Sequence, residues 1–262
     1  MNYLLYGIED YLIKKELNKL RKYIDDNDIS YFDLEEVSLR EIVDDANSLS
    51  LFSNKRMIIV ENANIFTGSG KKRDDTKYLE EYLLNPNVNT ILVFTLNADK
   101  LDSRKKIVEL IKEKGKVLEF NNFNINSVVK EMYGNYKISD SDIRLLINRV
   151  GNNLNVLNNE IEKIKTYKDE DLNITSDDII NLTVKTVDID IFHLIDNIIL
   201  NNKKEALESY FEMIKLGEEP IKIIVMLANQ FRLMYQVKVL NKQHYNIYDM
   251  MKILGQKKYP IE

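Results

Sequence analysis

Apolar and polar positions follow two different patterns over the first 120 residues. Short apolar runs are separated by stretches in which apolar side chains recur every three or four positions. The short runs are typical of strands buried on both faces of a parallel sheet, and the longer stretches are typical of amphipathic helices. The predicted strands are residues 3–6, 30–34, 57–60, 90–95 and 117–120, and the predicted helices are residues 10–24, 38–52, 76–84 and 103–114.

Strands that alternate with helices in this way predict an α/β domain over residues 1–123. Because the crossover between two parallel strands is right-handed, consecutive helices cover the faces of one sheet. The sequence therefore predicts a doubly wound, five-stranded parallel sheet.

The strand pattern stops after Phe120, and only helical patterns follow. Residues 124–186 predict a small all-α domain with helices near residues 126–134, 139–150 and 154–167 and a further helix opening at residues 174–178. Thr175 has Asp178 three positions later, which is the spacing of a capping box. Gly151 is expected to end the second of these helices.

A second helical region is predicted from residue 187 to residue 262, with helices over residues 192–200, 203–216 and 220–240. Gly217 suits the end of one helix and Pro220 suits the start of the next. Because so few helices precede the abrupt end of the chain, we expect this region to be a truncated helical domain.

Composition excludes several classes of function. The chain has no Cys and only two His, so a disulfide scaffold, a Cys nucleophile and a His-rich metal site are excluded, and no metal is expected. A net charge of −5 provides no global basic field for nucleic acid. No apolar run approaches the ~18 residues needed to span a bilayer, and the acidic start is unlike a signal peptide. The sequence therefore predicts a cytoplasmic protein without membrane contact.

The turn after the first strand is where a doubly wound domain would bind a nucleotide. Residues 7–12 contain one glycine, no Lys-Ser or Lys-Thr pair, and the two carboxylates of Glu9 and Asp10. Phosphate binding requires free backbone N–H groups and a cation, so this turn predicts no nucleotide and no cofactor. The Gly-Ser-Gly-Lys-Lys run at residues 68–72 also lacks the spacing and the hydroxyl of a phosphate loop.

The helix before the third strand carries a candidate binding site. At about 100° per residue, its apolar positions 39, 42, 43, 46 and 49 share one face, whereas Leu51 and Phe52 project away from that face if the helix continues. An exposed aromatic and aliphatic pair with polar neighbours is typical of a binding anchor. The alternative is that the helix breaks at Ser50 and both side chains turn inward, and the residues alone favour this inward arrangement.

The helix that begins at Pro220 carries a wide apolar stripe, for which core packing is the favoured interpretation and oligomer contact the alternative. The stripe consists of Ile221, Ile224, Leu227, Ala228, Phe231, Met234, Tyr235 and Val237. An excess of positive charge in the same region is interpreted as a solvated face, with contact to DNA phosphates as the alternative. These residues are Lys222, Arg232, Lys238, Lys242, Lys252, Lys257 and Lys258.

Several segments, taken together and in this order, resemble the delta subunit of bacterial DNA polymerase III. The resemblance is carried by Gly7-Ile8-Glu9-Asp10-Tyr11-Leu12-Ile13, by Leu51-Phe52-Ser53-Asn54-Lys55-Arg56 continuing to Asn62, by Leu101-Asp102-Ser103-Arg104-Lys105-Lys106, and by residues 151–164, 174–182 and 217–233. The match runs from residue 3 to the last residue. No single motif is specific, but the set is.

The resemblance implies an AAA+-like fold that has lost its ATPase function, followed by a helical lid domain and a collar domain. It implies a non-catalytic chain within a DNA-directed DNA polymerase, which is a nucleotidyltransferase holoenzyme acting in DNA replication. Its role would be to bind the sliding clamp and open the ring for loading onto primed DNA. Its other partners would be AAA+ clamp-loader subunits, contacted through the collar.

In this family a Leu-Phe pair forms the clamp-contacting wedge, and the pair corresponds to Leu51 and Phe52 here. The loop at residues 62–66 is a weaker candidate for the same surface, with Asn62, Ile65 and Phe66 as its contact residues. Two alternatives remain open. One is an active AAA+ ATPase with an atypical nucleotide site, and the other is a DNA-binding adaptor that uses the basic C-terminal segment.

Overall fold

The structure is a computed structural model, which describes residues 1–48, 55–68, 76–183 and 187–256. Leu51 and Phe52 lie outside these ranges. The chain divides into two compact units, Met1–Asn124 and Ile125–Glu262, and each is described by itself below. The predicted division of the second unit at residue 186 stays a prediction.

The first unit alternates strands and helices along the chain. Its elements are β1 (Asn2–Gly7), α1 (Asp10–Arg21), β2 (Ile29–Asp33), α2 (Leu39–Asn47), β3 (Arg56–Glu61), α3 (Lys77–Leu84), β4 (Thr90–Asn97), α4 (Lys106–Lys114) and β5 (Lys116–Glu119). The strands form one parallel sheet in the order β2-β3-β4-β1-β5. The predicted doubly wound, five-stranded parallel sheet is confirmed.

Both faces of the sheet are buried because successive side chains along each strand point to opposite sides. Ile58 and Val60 of β3 pack with α2, α3 and α4 on one face. Met57 and Ile59 of the same strand pack with α1 on the other face. This two-sided burial is the reason that the strands appear in the sequence as continuous apolar runs.

The helix α2 is shorter than predicted. Ser38 caps its start by accepting a hydrogen bond from Glu41 N, but the helix ends at Asn47 rather than at residue 52, and Ser48 is extended. Two groups bind the last turn from outside it, because Ser48 Oγ and Arg56 Nη1 both donate to the main-chain oxygen of Asp45. An acidic last turn also opposes the helix dipole, so continuation of the helix is disfavoured.

The second unit is helical throughout the residues described, apart from a single bridge between Lys137 and Asn173. Its helices are α5 (Ile125–Tyr133), α6 (Asp140–Val150), α7 (Leu154–Lys168), α8 (Ser176–Leu182), α9 (Val187–Ile199), α10 (Lys203–Lys215), α11 (Pro220–Lys242) and α12 (Ile247–Leu254). The capping box of Thr175 and Asp178 is confirmed, Gly151 ends α6, and Pro220 occupies the first turn of α11.

Within this unit, α5 to α8 pack together around a buried set that includes Leu146, Leu157 and Ile161. A separate apolar cluster forms between α9, α10 and α11, with Ile195, Met213 and Ile223 at its centre. In the part of the chain that the structure describes, no helix is both long enough and apolar enough to cross a membrane.

Candidate functional site

The turn from β1 to α1 is closed by the end of β5. Phe120 N donates a hydrogen bond to Tyr6 O at 2.8 Å, which holds the Phe120 backbone directly against Gly7. A Cβ atom at Gly7, where φ is +157°, would lie 2.6 Å from the carbonyl carbon of Phe120. Glycine is therefore required here by the close approach of the protein's own backbone rather than by a ligand.

Acceptors of the protein itself occupy backbone N–H groups of this turn. Ile8 N donates to Asn121 Oδ1 at 3.0 Å, and Tyr11 N donates to Glu9 Oε1 at 3.3 Å. The next two amides, of Leu12 and Ile13, donate to Glu9 O. The amides of Ile8, Tyr11 and Leu12 are donors that a phosphate at a helix N-terminus would need, whereas the bond from Ile13 is the first regular bond of α1. The geometry therefore favours a turn that does not bind nucleotide over an atypical ATPase site.

The residue that closes the turn, Asn121, is held in place by two further hydrogen bonds. Its amide nitrogen donates to Asp99 O and to Glu119 Oε1, each at 2.8 Å. Tyr6 OH donates to Glu119 Oε2 at 2.6 Å. The hydrogen bonds from Tyr6 and Asn121 lower the pKa of Glu119, because they stabilise its ionised form.

The network around Glu119 thus keeps a carboxylate beside the turn, which repels a polyphosphate. Burial, followed by the bond to Glu119, raises the pKa of Tyr6, so the phenol stays a donor. Sequence analysis did not identify Asn121. It lies 113 residues from the amide that it binds, and no local pattern marks it.

The segment with the predicted anchors Leu51 and Phe52 joins the described structure at Ser48 and Lys55. Both flanking residues lie at the amino edge of the sheet, because α2 runs back along the sheet from the end of β2 to the start of β3. The same edge carries the loop between α3 and β4. Asn87 Nδ2 of this loop and Thr90 Oγ1 of β4 both donate to Ala46 O, near the end of α2.

The weaker candidates, Asn62, Ile65 and Phe66, lie at the opposite edge of the sheet, after β3 ends. Asn62 is exposed, adopts a left-handed conformation at φ 54°, and donates from Nδ2 to Asp33 Oδ2 at 2.8 Å. The six residues of β3, about 20 Å at 3.3 Å per residue, separate this loop from Lys55. The loop therefore lies at the opposite edge of the sheet from Ser48 and Lys55.

Ile65 and Phe66 are core residues. Ile65 is 3% exposed and Phe66 is fully buried, with its ring in edge-to-face contact with Phe94 at 5.3 Å between centroids. Their main-chain oxygens are also used, since Lys105 Nζ donates to Ile65 O and Asp102 N donates to Phe66 O, each at 2.9 Å. Neither side chain is accessible to a partner, so the expectation that they contact one is corrected here.

The apolar stripe of α11 is mostly exposed, contrary to the favoured prediction of core packing. Ile223 and Leu233 are the buried residues of this helix, and neither belongs to the predicted stripe. At 100° per residue six of the exposed apolar side chains share one face about 120° wide, and the exposed Met234 lies about 60° outside it. The six residues, called the α11 face below, are Ile221, Ile224, Val225, Ala228, Phe231 and Tyr235. The face suits contact with another protein.

The basic residues of α11 do not form a stripe. At 100° per residue, Lys222 lies about 160° from Lys238 and about 80° from Arg232 around the helix axis. Lys222 also pairs with Glu218 at 2.6 Å. This distribution favours solvated charges over a DNA-binding surface; Lys257 and Lys258 lie outside the described residues. Among the described residues, no group of three His, Cys, Asp or Glu could hold a metal ion.

Comparison with known proteins identifies the family. The family model for "DNA polymerase III, delta subunit" matches residues 3–121, and the model for "DNA polymerase III delta subunit, C-terminal domain" matches residues 188–262. DNA polymerase III subunit delta of Bacillus subtilis (strain 168) is 30% identical over 256 residues, which cover 93% of this chain and 74% of that protein.

Two further comparisons agree. The probable DNA polymerase III subunit delta of Aquifex aeolicus (strain VF5) is 22% identical over 97% of this chain and 75% of that protein. The solved structure of the Bacillus subtilis DNA clamp loader delta protein (YqeN) matches with a TM-score of 0.84 and 28% identity, over 99% of this chain and 80% of that one. The chain belongs to the family of bacterial DNA polymerase III delta subunits.

Proposed function

We propose that this chain is the clamp-loader subunit that binds the sliding clamp and opens its ring, without hydrolysing ATP itself. The observation that carries the proposal is the likeness to a clamp loader delta protein along 99% of the chain. The closed turn at Gly7 supports the proposal that the chain does not hydrolyse ATP, because donors that a nucleotide phosphate would need are bound by Glu9 and Asn121. ATP would then be used by other subunits of the loader.

The clamp-binding anchors in this proposal are Leu51 and Phe52. Burying one Leu and one Phe side chain in an apolar pocket contributes about 3–6 kcal/mol of gross transfer free energy. Tight binding alone does not open a ring, because a ligand shifts an equilibrium only through its difference in affinity for the two states. The chain must therefore fit the opened clamp better than the closed one.

The test is clamp binding and clamp release by the isolated chain. A labelled clamp from the same organism, loaded on a nicked circular DNA, should dissociate faster when the chain is added without ATP. The chain should also bind free clamp and show no heat of binding with ATP and Mg²⁺. ATP binding would instead favour the atypical ATPase. Salt-dependent DNA binding without clamp binding would favour the adaptor.

The α11 face is proposed to contact the other clamp-loader subunits. A double substitution, Ile224→Glu with Phe231→Glu, should abolish co-purification with those subunits, because two carboxylates would be buried without partners. The melting temperature should change by less than about 2 °C, since both side chains are exposed in this chain.

The matched control for this surface is Asn229→Glu with Gln236→Glu. It adds the same charge at two exposed positions that lie about 120–160° around α11 from Ile224 and Phe231, and assembly should persist. If the control abolishes assembly as completely as the substitutions on the α11 face, the helix contacts its partners through a different surface.

A further inference from the structure

The side chain of Arg56 joins the end of α2 to the start of β3. Nη2 donates to Asp45 Oδ2 at 2.7 Å, and Nη1 donates to Asp45 O at 3.0 Å and to Ser48 Oγ. A fourth bond, from Nη2 to Ser30 Oγ at 3.1 Å, adds β2 to the same cluster. Residues 49–54 thus leave the described structure at Ser48, which Arg56 binds, and return one residue before Arg56 itself.

These contacts hold the end of α2 firmly against the start of β3. The Arg56 side chain is 13% exposed and that of Asp45 is 29% exposed, so water competes weakly for their bonds. Hydrogen bonds in which a partner is ionised are roughly twice as strong as neutral ones. Removing the guanidinium would take the charged partner from the Asp45 carboxylate and leave Asp45 O with donors from Ser48 alone, so the end of α2 would be less firmly fixed to β3.

We propose that Arg56 is a positioning residue for the clamp-binding segment, acting by fixing the two points from which residues 49–54 extend. This inference rests on the proposed function, in which Leu51 and Phe52 are the anchors. A segment whose ends are held loses less conformational entropy when it binds, so its affinity is higher at the same contact area. The guanidinium is too buried to serve as a contact itself.

The matched control is Lys105, which lies in the same unit and also donates from a side-chain cation to a main-chain oxygen, that of Ile65 at 2.9 Å. Arg56→Met and Lys105→Met remove the same charge, but the second acts at the carboxyl edge of the sheet. Arg56→Met should weaken clamp binding about tenfold, and Lys105→Met less than about twofold, when compared at a temperature where both variants are folded.

Arg56→Lys separates the effect of the positive charge from the effect of the hydrogen-bond geometry. Lysine keeps the charge but cannot donate to Asp45 and Ser48 at the same time from two planar nitrogens. Clamp binding by this variant should stay about threefold or more below that of the wild type. Full recovery with Lys would mean that only the charge matters, and the proposal would be overturned.

A double-substitution cycle with Leu51→Ala tests whether Arg56 acts through the segment. If it does, Arg56→Met should cost only about threefold in affinity in the Leu51→Ala background, because one anchor is already absent. The change in melting temperature should be the same in both backgrounds. Equal losses of affinity in both backgrounds would show a purely structural role and contradict the proposal.

Failure of this inference is distinguishable from failure of the proposed function. If Leu51→Ala with Phe52→Ala leaves clamp binding intact, the anchors themselves are wrong. If that pair abolishes binding while Arg56→Met behaves like Lys105→Met, the anchors stand and the positioning role of Arg56 is rejected.

Discussion

Replacing both anchors, Leu51→Ala with Phe52→Ala, should lower the affinity for the sliding clamp by at least about 100-fold, because hot-spot side chains each contribute 2 kcal/mol or more. The melting temperature should fall by less than about 3 °C, since exposed side chains contribute little to folding stability. Clamp affinity would be measured by surface binding or calorimetry, and stability by thermal unfolding of the same preparations.

The matched control for this pair is Tyr167→Ala with Leu172→Ala. It removes an aromatic and an aliphatic side chain that are 68% and 43% exposed in the second unit, and it should leave clamp binding unchanged. If the Leu51 and Phe52 variant unfolds instead, those two residues belong to the core. The inward arrangement, which the residues by themselves favour, would then be correct.

Phe66→Ala should have the largest effect on stability, a loss of about 3–5 kcal/mol in the free energy of unfolding. The ring is fully buried against Phe94, and its removal leaves a cavity that the sheet and α3 cannot close. For a chain of this size the melting temperature should fall by roughly 6–20 °C. Denaturant and thermal unfolding measure both quantities.

Two milder variants separate a core role of this loop from contact with a partner. Phe66→Leu should keep the fold with a smaller loss of stability and leave clamp affinity within about twofold of the wild type. Asn62→Gly tolerates the left-handed backbone and removes the bond to Asp33, and its effect on stability should be below about 1 kcal/mol. A tenfold loss of clamp affinity in either variant would return the loop to the binding surface.

The β1–α1 turn shows how a negative prediction from sequence acquires a structural reason. Glu9 and Asp10 were enough to predict that phosphate is repelled, because charge is a local property. The stronger reason is that Asn121 and the Phe120 backbone occupy the turn, and both come from the far end of the unit. Contacts between residues so distant along the chain leave no periodic signal.

The α11 face shows why the favoured prediction of core packing was wrong. Helical periodicity found the apolar side chains Ile224 and Phe231, but periodicity says only that residues share a face. Whether that face is covered depends on which helices pack beside it, and the neighbours α9 and α10 are packed around Ile223 instead. An apolar face can serve a core or a partner, and composition alone does not distinguish the two.

The sequence by itself determined the elements, the parallel sheet, the absence of a phosphate loop and the family, because these depend on local periodicity, turn chemistry and the order of short segments. Tertiary structure decided that α2 ends at Asn47, that Phe66 is core, that Asn121 closes the turn and that Arg56 ties α2 to β3. Each of these depends on burial or on a bond between distant residues, and such energies exist only once the chain has folded.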